Sequence, residues 1–217
     1  MALIGGYFGF YAIISRCEIF GSAQTGNLIY LVRDIVGWNL YDFLLRVGGL
    51  LLYVLAIILT ILIPRYCSIN LQLLSIFIDI AAAVILGFFP EEMNPIIGLY
   101  PIFFAMSFQW CSFKGMQDCP SATTFSTNNL RQFVTALTHF FADKTCITRI
   151  KFYGFTLMAF HLGVAISYIL WNFFHIYSIW FCIILLAAAL LLTLAQRKSA
   201  YGRSSHPQKT LHENTAP

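Results

Sequence analysis

The chain has 217 residues, of which 59% are hydrophobic and only 10% charged, with a formal net charge of +4. A soluble domain averages about 25% charged residues, so this chain lacks the polar surface to face water on all sides. No basic stripe of the kind that tracks nucleic acid is present. The 21 Phe and 11 Tyr suit lipid contact and packing instead.

Six apolar segments are predicted as membrane spans. The first begins at Met1 and is uninterrupted only to Ile14, about 21 Å of helix against a hydrocarbon core of about 30 Å. Extending it to Phe20 restores the length and puts Arg16 and Glu18 near an interface. No positive charge precedes this stretch and no small-residue cleavage site follows it, so it is expected to stay in the membrane. The second span is Phe43–Ile63, closed by Pro64 and Arg65. The third is Ile69–Phe89, closed by Pro90 and the pair Glu91 and Glu92. The fourth is Ile96–Phe113, opened by Pro95. The fifth is Phe152–Trp171, and the sixth is Ile176–Leu194, followed by Arg197 and Lys198.

Two links are much longer than the rest, Gly21–Asp42 and Lys114–Lys151. The pair Arg33 and Asp34, and the stretch from Arg131 to Lys151, read as interfacial helices whose basic residues snorkel to head groups. Residues 1–196 are expected to form one transmembrane domain, and 197–217 a disordered tail of polar composition. Trp38, Trp171 and Trp180 suit membrane boundaries or packing. With the N-terminus cytoplasmic, the inside loops hold Arg65, Lys114, Arg131, Lys144, Arg149, Lys151, Arg197, Lys198, Arg203 and Lys209, against Arg16, Arg33 and Arg46 outside. That asymmetry predicts both ends in the cytoplasm.

The two long links share a motif. Ala23-Gln24-Thr25-Gly26-Asn27-Leu28 and Phe125-Ser126-Thr127-Asn128-Asn129-Leu130 both contain Thr-x-Asn-Leu, 102 residues apart. Each copy follows one apolar segment and precedes two. The fold expected is therefore an all-α polytopic bundle of about six transmembrane helices. It divides into two inverted three-helix repeats, about 1–89 and 95–196, with broken or interfacial helices after the first and fourth spans. Inverted halves of this kind are a common plan among secondary transporters. Ordinary helix capping by Thr and Asn would also account for the motif.

At these residues the chain resembles the YoaK-like bacterial membrane proteins, a family known as domain of unknown function 1275. The resemblance lies in Gly5-Gly6-Tyr7 with Ala23-Gln24-Thr25-Gly26-Asn27-Leu28, and in Ala105-Met106 through Gln109 with Ala122-Thr123-Thr124-Phe125-Ser126-Thr127. It covers most of residues 1–195 and implies a multi-pass protein of the bacterial cytoplasmic membrane, with no assigned activity. The chain departs from the family pattern at Gly9, where an Asp is usual. It departs again at Trp110, where an Asn is usual, and at Asn128, where the motif usually has Gly.

Asp79 falls near the middle of the third segment, on one helical face with Gln72 and Ser75. A central Asp costs about 2.5–3.5 kcal/mol on insertion scales, so it must face protein or a water-filled cavity. It reads as a proton or cation site or as a structural interhelical hydrogen bond. His161 lies at similar depth in the fifth segment and could share a proton with it. A hydrogen bond to a neighbouring Ser or a backbone carbonyl is the plainer role for such a His. Thr25, Asn27, Thr127 and Asn129 could open broken helices whose free N–H groups meet a polar ligand. Gln109 could join them. Gly48, Gly49, Gly154 and Gly163 suit close helix packing. The six cysteines are scattered, with no C-x-x-C pair, so no metal site or disulfide framework is expected. No cofactor is implied.

The function expected is a small secondary transporter or permease for a small polar or ionic solute. A non-transporting scaffold or accessory subunit is the alternative. An intramembrane enzyme ranks last, because neither H-E-x-x-H nor G-x-S-x-G is present. The partners expected are the lipid bilayer, a solute and a second copy of the chain, without nucleic acid.

Overall fold

The computed structural model describes residues 1–16, 24–116, 119–120, 123–124 and 126–204. The chain is all-α apart from one two-residue ladder. The helices are α1 (Ala2–Ser15), α2 (Gln24–Val36), α3 (Leu40–Tyr66), α4 (Leu71–Gly87), α5 (Pro95–Gly98), α6 (Tyr100–Ser112), α7 (Thr127–Phe140), α8 (Ile147–Phe174) and α9 (Cys182–Ser204). A 3-10 turn, Lys144–Cys146, precedes α8, and a 3-10 helix, His175–Phe181, joins α8 to α9. The ladder pairs β1 (Gly115–Met116) with β2 (Cys119–Pro120), antiparallel, with Gly115 opposite Pro120.

Local chemistry sets several of the helix ends. Asn39 and Asn70 cap α3 and α4, accepting from the backbone N–H groups of Asp42 and Leu73. Asn94 caps α5, with Pro95 in its first turn. The fourth apolar segment is one helix by hydropathy but two in space. Pro101, at the head of α6, has no N–H for the preceding turn, and the chain restarts at Tyr100. The α2 helix closes in a Schellman arrangement. Asn39 N–H donates to Asp34 O and Trp38 N–H to Ile35 O. Trp38 itself takes the left-handed conformation at φ 56°, which a non-glycine residue adopts only at a cost.

Two helical stretches are long and apolar enough to cross a bilayer, Leu40–Tyr66 and Lys144–Lys198. Within the second, His175 has φ 47°, which breaks the helix between α8 and the 3-10 segment. The apolar helices α1, with 14 residues, and α4, with 17, fall short of that length. At 1.5 Å per residue they span about 21 and 26 Å. Helix α3 runs through Pro64 to Tyr66, past the end expected there. Helix α8 starts at Ile147, inside the expected link, and α9 continues to Ser204, inside the expected tail; residues 205–217 lie outside the described residues. Leu51, Leu55, Phe155, Met158, Ile184 and Leu191 are exposed. Apolar surface on this scale marks contact with lipid or another protein.

The core lies where α1, α4, α6 and the 3-10 segment meet. Tyr7, Phe8, Tyr11, Ile76, Leu86, Ile102, Met106 and Ile179 are fully or almost fully buried there. Tyr7 Oη donates to Ser178 O at 2.5 Å and Tyr11 Oη to Ile176 O at 3.1 Å, tying α1 to the 3-10 segment.

The packing has a cross-over pattern. Helix α1 packs on α8, and α6 packs on α3. Each of the short helices packs on the long helix that follows it in the chain, α2 on α3 and α7 on α8. Both cross-packed seams run through glycine. A Cβ on Gly6 would strike the carbonyl oxygen of Phe160, and one on Gly163 would strike that of Leu3. On the other seam, Gly48 and Gly49 face Tyr100 and Phe103. Small residues let helix backbones approach this closely.

Candidate functional site

Among the described residues, Asp79 is a carboxylate enclosed by the core. It sits on α4 at 0% exposure, and neither carboxylate oxygen has a hydrogen-bond partner among the described residues. Ser75, one turn earlier on the same face, is also fully buried with an unpartnered hydroxyl. Helix α4 is packed by α6, α9 and the 3-10 segment, which together close around this face. Buried polar atoms are almost always satisfied, so two adjacent exceptions call for a water, ion or ligand.

One helical turn beyond Ser75, Gln72 opens into a cavity of about 290 Å³. Lys114, Thr123 and Thr156 also line it. Behind them Gln109, fully buried on α6, donates from Nε2 to Thr123 Oγ1 at 3.0 Å, while its Oε1 stays unpartnered. Thr124, 1% exposed, likewise has a hydroxyl without a partner. Thr123 and Thr124 reach this depth because Gly5 on α1 leaves room for their backbone. The outcome is a file of polar groups, Gln72, Ser75 and Asp79, leading from a cavity mouth to a buried carboxylate about 10 Å along the helix. The cavity lining reaches Gln72, and Ser75 and Asp79 lie fully buried beyond it.

The other residues expected at this site lie elsewhere. Thr25 and Thr127 are exposed, while Asn27 and Asn129 are buried at 5% and 1%. The two motif copies thus share one pattern of exposure, but α2 lies on α3 and α7 on α8, and α4 packs against neither. The Asn27 amide has no partner among the described residues. His161 is exposed on α8, with Nδ1 at 2.8 Å from Leu157 O of its own helix. The structure does not bring it to Asp79. A ring that satisfies itself on the preceding turn can face outward, and periodicity within one segment does not tell the two faces apart. Ala23, Ala122 and Phe125 of the motifs, and Cys17, lie outside the described residues.

Sequence reading missed a second buried carboxylate. Asp34, 2% exposed on α2, receives Arg33 Nε and Nη2 on Oδ1, at 2.8 and 2.5 Å, and Arg46 Nε on Oδ2 at 2.7 Å. Burial disfavours its charged form, but the hydrogen bonds and charges of the two guanidinium groups outweigh that and hold its carboxyl below the usual range. Each guanidinium also lies over the Tyr30 ring, at 4.6 Å for Arg33 and 4.7 Å for Arg46. The available signal was Arg46 itself, an ionisable residue inside an apolar segment and so in need of a partner.

A family profile matches residues 1–192. The chain belongs to the DUF1275 family of proteins of unknown function. No curated protein and no solved structure matches it. Membership supports the resemblance seen at Gly5-Gly6-Tyr7 and Gln24-Thr25-Gly26-Asn27, but brings no activity with it. In this DUF1275 member, no group of three or more His, Cys, Asp or Glu could hold a metal ion among the described residues. The free cysteines described, Cys67, Cys111, Cys119, Cys146 and Cys182, are scattered over separate elements.

Proposed function

We propose that this DUF1275 protein is a bilayer-spanning carrier for a small polar or ionic solute, and that the file ending at Asp79 is its binding path. The observation that carries this reading is the fully buried Asp79 carboxylate with both oxygens unpartnered. An anionic carboxylate enclosed in this way needs a proton, a cation or the ammonium group of a solute beside it. A group that exchanges such companions is what a coupled carrier requires.

Two inverted halves are part of the same proposal. The reciprocal packing of α1 on α8 and α6 on α3, with α2 on α3 and α7 on α8, is the pattern that a pseudo-two-fold axis generates. In each half a short apolar helix, α1 or α6, is followed by a second short helix, α2 or α7. Paired discontinuous helices of this sort occur at the substrate sites of inverted-repeat transporters. Rocking of one half against the other would open the Gln72 mouth and the opposite side of Asp79 in turn. On this reading the protein has no catalytic role and no cofactor and lies in the cytoplasmic membrane with both ends inside, as the asymmetry of Lys and Arg among its links supports.

The reading is tested in two stages. A thermal-shift screen of purified protein against metabolites and ions first identifies the solute. Counterflow of that solute into proteoliposomes, together with proton movement reported by an entrapped pH dye, then measures transport. Asp79→Asn should abolish uptake while the protein still reconstitutes. Uptake by Asp79→Asn liposomes at the wild-type rate would remove the proposal.

A further inference from the structure

A second cavity, of about 350 Å³, opens where α2, α3 and the start of α5 meet. It shares no lining residue with the cavity at Gln72. Tyr30, Arg33, Asp42, Arg46 and Asn94 line it. Arg46 is only 7% exposed. Its Nε is committed to Asp34 at 2.7 Å, but its Nη1 is buried without any partner. Arg33 is anchored on the same carboxylate, yet its side chain is 57% exposed and has N–H groups to spare. The Tyr30 ring beneath both guanidinium planes holds them side by side.

We infer that this cavity binds a phosphate group, held by the free N–H groups of Arg46 and Arg33. Guanidinium donors in a fixed fork match the tetrahedral oxygens of phosphate, and a buried unpartnered Nη1 gains most from such an acceptor. The local charge limits which phosphate fits. Asp34 neutralises one of the two arginines, and Asp42, tied to Asn39 Nδ2 at 2.8 Å, sits on the cavity wall as a second negative group. Two arginines against two carboxylates leave the cavity with no net charge, so a dianion is disfavoured more than a monoanionic phosphodiester, which the spare guanidinium N–H groups hold by hydrogen bonds. Phospholipid head groups are monoanionic phosphodiesters, and the surroundings suit one. Around the cavity α2 turns Ile29, Val32, Ile35 and Val36 outward while burying Asn27 and Asp34, the arrangement of a helix bathed in acyl chains. The source is therefore either a lipid head group or free phosphate, and the two separate experimentally.

The test uses the full chain in phosphate-free detergent. Thermal unfolding is titrated with dihexanoyl phosphatidylglycerol, with inorganic phosphate, and with dihexanoylglycerol as the phosphate-free control. The phosphodiester should raise the unfolding temperature above the control. Arg33→Gln leaves the Arg46–Asp34 pair in place and should weaken the response at least about tenfold, the loss of one charge-assisted hydrogen bond. Arg46→Gln should remove the response; if that variant does not fold, the exposed Arg33 carries the test alone. Asp79→Asn should respond like wild type, so that failure here and failure of transport remain separate results. An equal response to inorganic phosphate, also weakened by Arg33→Gln, supports the phosphate site and makes free phosphate the source. No shift above dihexanoylglycerol with either probe, or an Arg33→Gln protein that responds like wild type, overturns the inference.

Discussion

Among the described residues two aspartates are buried, Asp34 and Asp79, and they are buried in opposite ways. Asp34 has two arginines on its oxygens, each resting on Tyr30. Asp79 has none, and its nearest polar companion on the same face, Ser75, is itself unpartnered. The first is a carboxylate with both oxygens satisfied, and it fastens α2 to α3. The second is an open valence in the middle of the bundle. Burial alone therefore does not mark a functional acid; what marks it is the absence of a hydrogen-bond partner on either oxygen, which a purely structural role would require.

The largest expected effect lies on the closed side. Asp34→Asn leaves Arg46 buried with a neutral partner and should cost about 3 kcal/mol of stability, read by denaturant or thermal unfolding. A cost within experimental error would mean that the Arg–Asp unit is not closed after all, and would erase the contrast with Asp79. A double-mutant cycle over Asp34 and Arg46 should give a coupling of about 1–3 kcal/mol. The same cycle over Ser75 and Asp79 should fall below about 0.5 kcal/mol, because no hydrogen bond joins them.

The stability gap between wild type and Asp34→Asn should also depend on pH. The folded-state carboxyl titrates below its unfolded value of about 3.9. Its contribution is therefore fully present above that value and is lost as the pH falls through the lower folded one. The gap should be flat from pH 5 to 8, on the order of the full effect, and should close below about pH 4. A gap that closes between pH 6 and 7 would implicate a histidine instead. The smallest effect belongs to Gly26, two turns before Asp34 on α2, where an added Cβ meets nothing within 4 Å. Gly26→Ala should leave stability unchanged or raise it by about 0.5–1 kcal/mol. A loss would mean that α2 is under constraint at its motif as well as at Asp34.

Much of this arrangement could be read before any coordinates. The inward placement of Asp79 on one face with Ser75 followed from helical spacing and the cost of a charge in lipid, and the short helices in the two long links followed from their polar openings and apolar returns. The contacts of the Thr-x-Asn motifs did not follow. Spacing placed Asn27 and Asn129 at equivalent points of two links, but which helix each would lie on depends on cross-packing through Gly6, Gly163, Gly48 and Gly49. The Asp34–Arg46 pair joins residues 12 apart across the α2–α3 turn, and helical periodicity does not extend through a turn. His161 lies on an exposed face, and the turn of about 100° per residue that separates the faces goes unmarked in a uniformly apolar segment. The break between α5 and α6 was signalled by Pro101 and hidden by the apolar run on both sides of it.

The account is tested most directly by unfolding Asp79→Asn and Asp34→Asn side by side with the wild type at neutral pH. The open-valence view predicts that Asp79→Asn is as stable as wild type or more so, since an amide in that position no longer needs a counter-charge, while Asp34→Asn is clearly weakened. If Asp79→Asn instead loses stability as Asp34→Asn does, Asp79 is a structural acid and the binding path loses its end point.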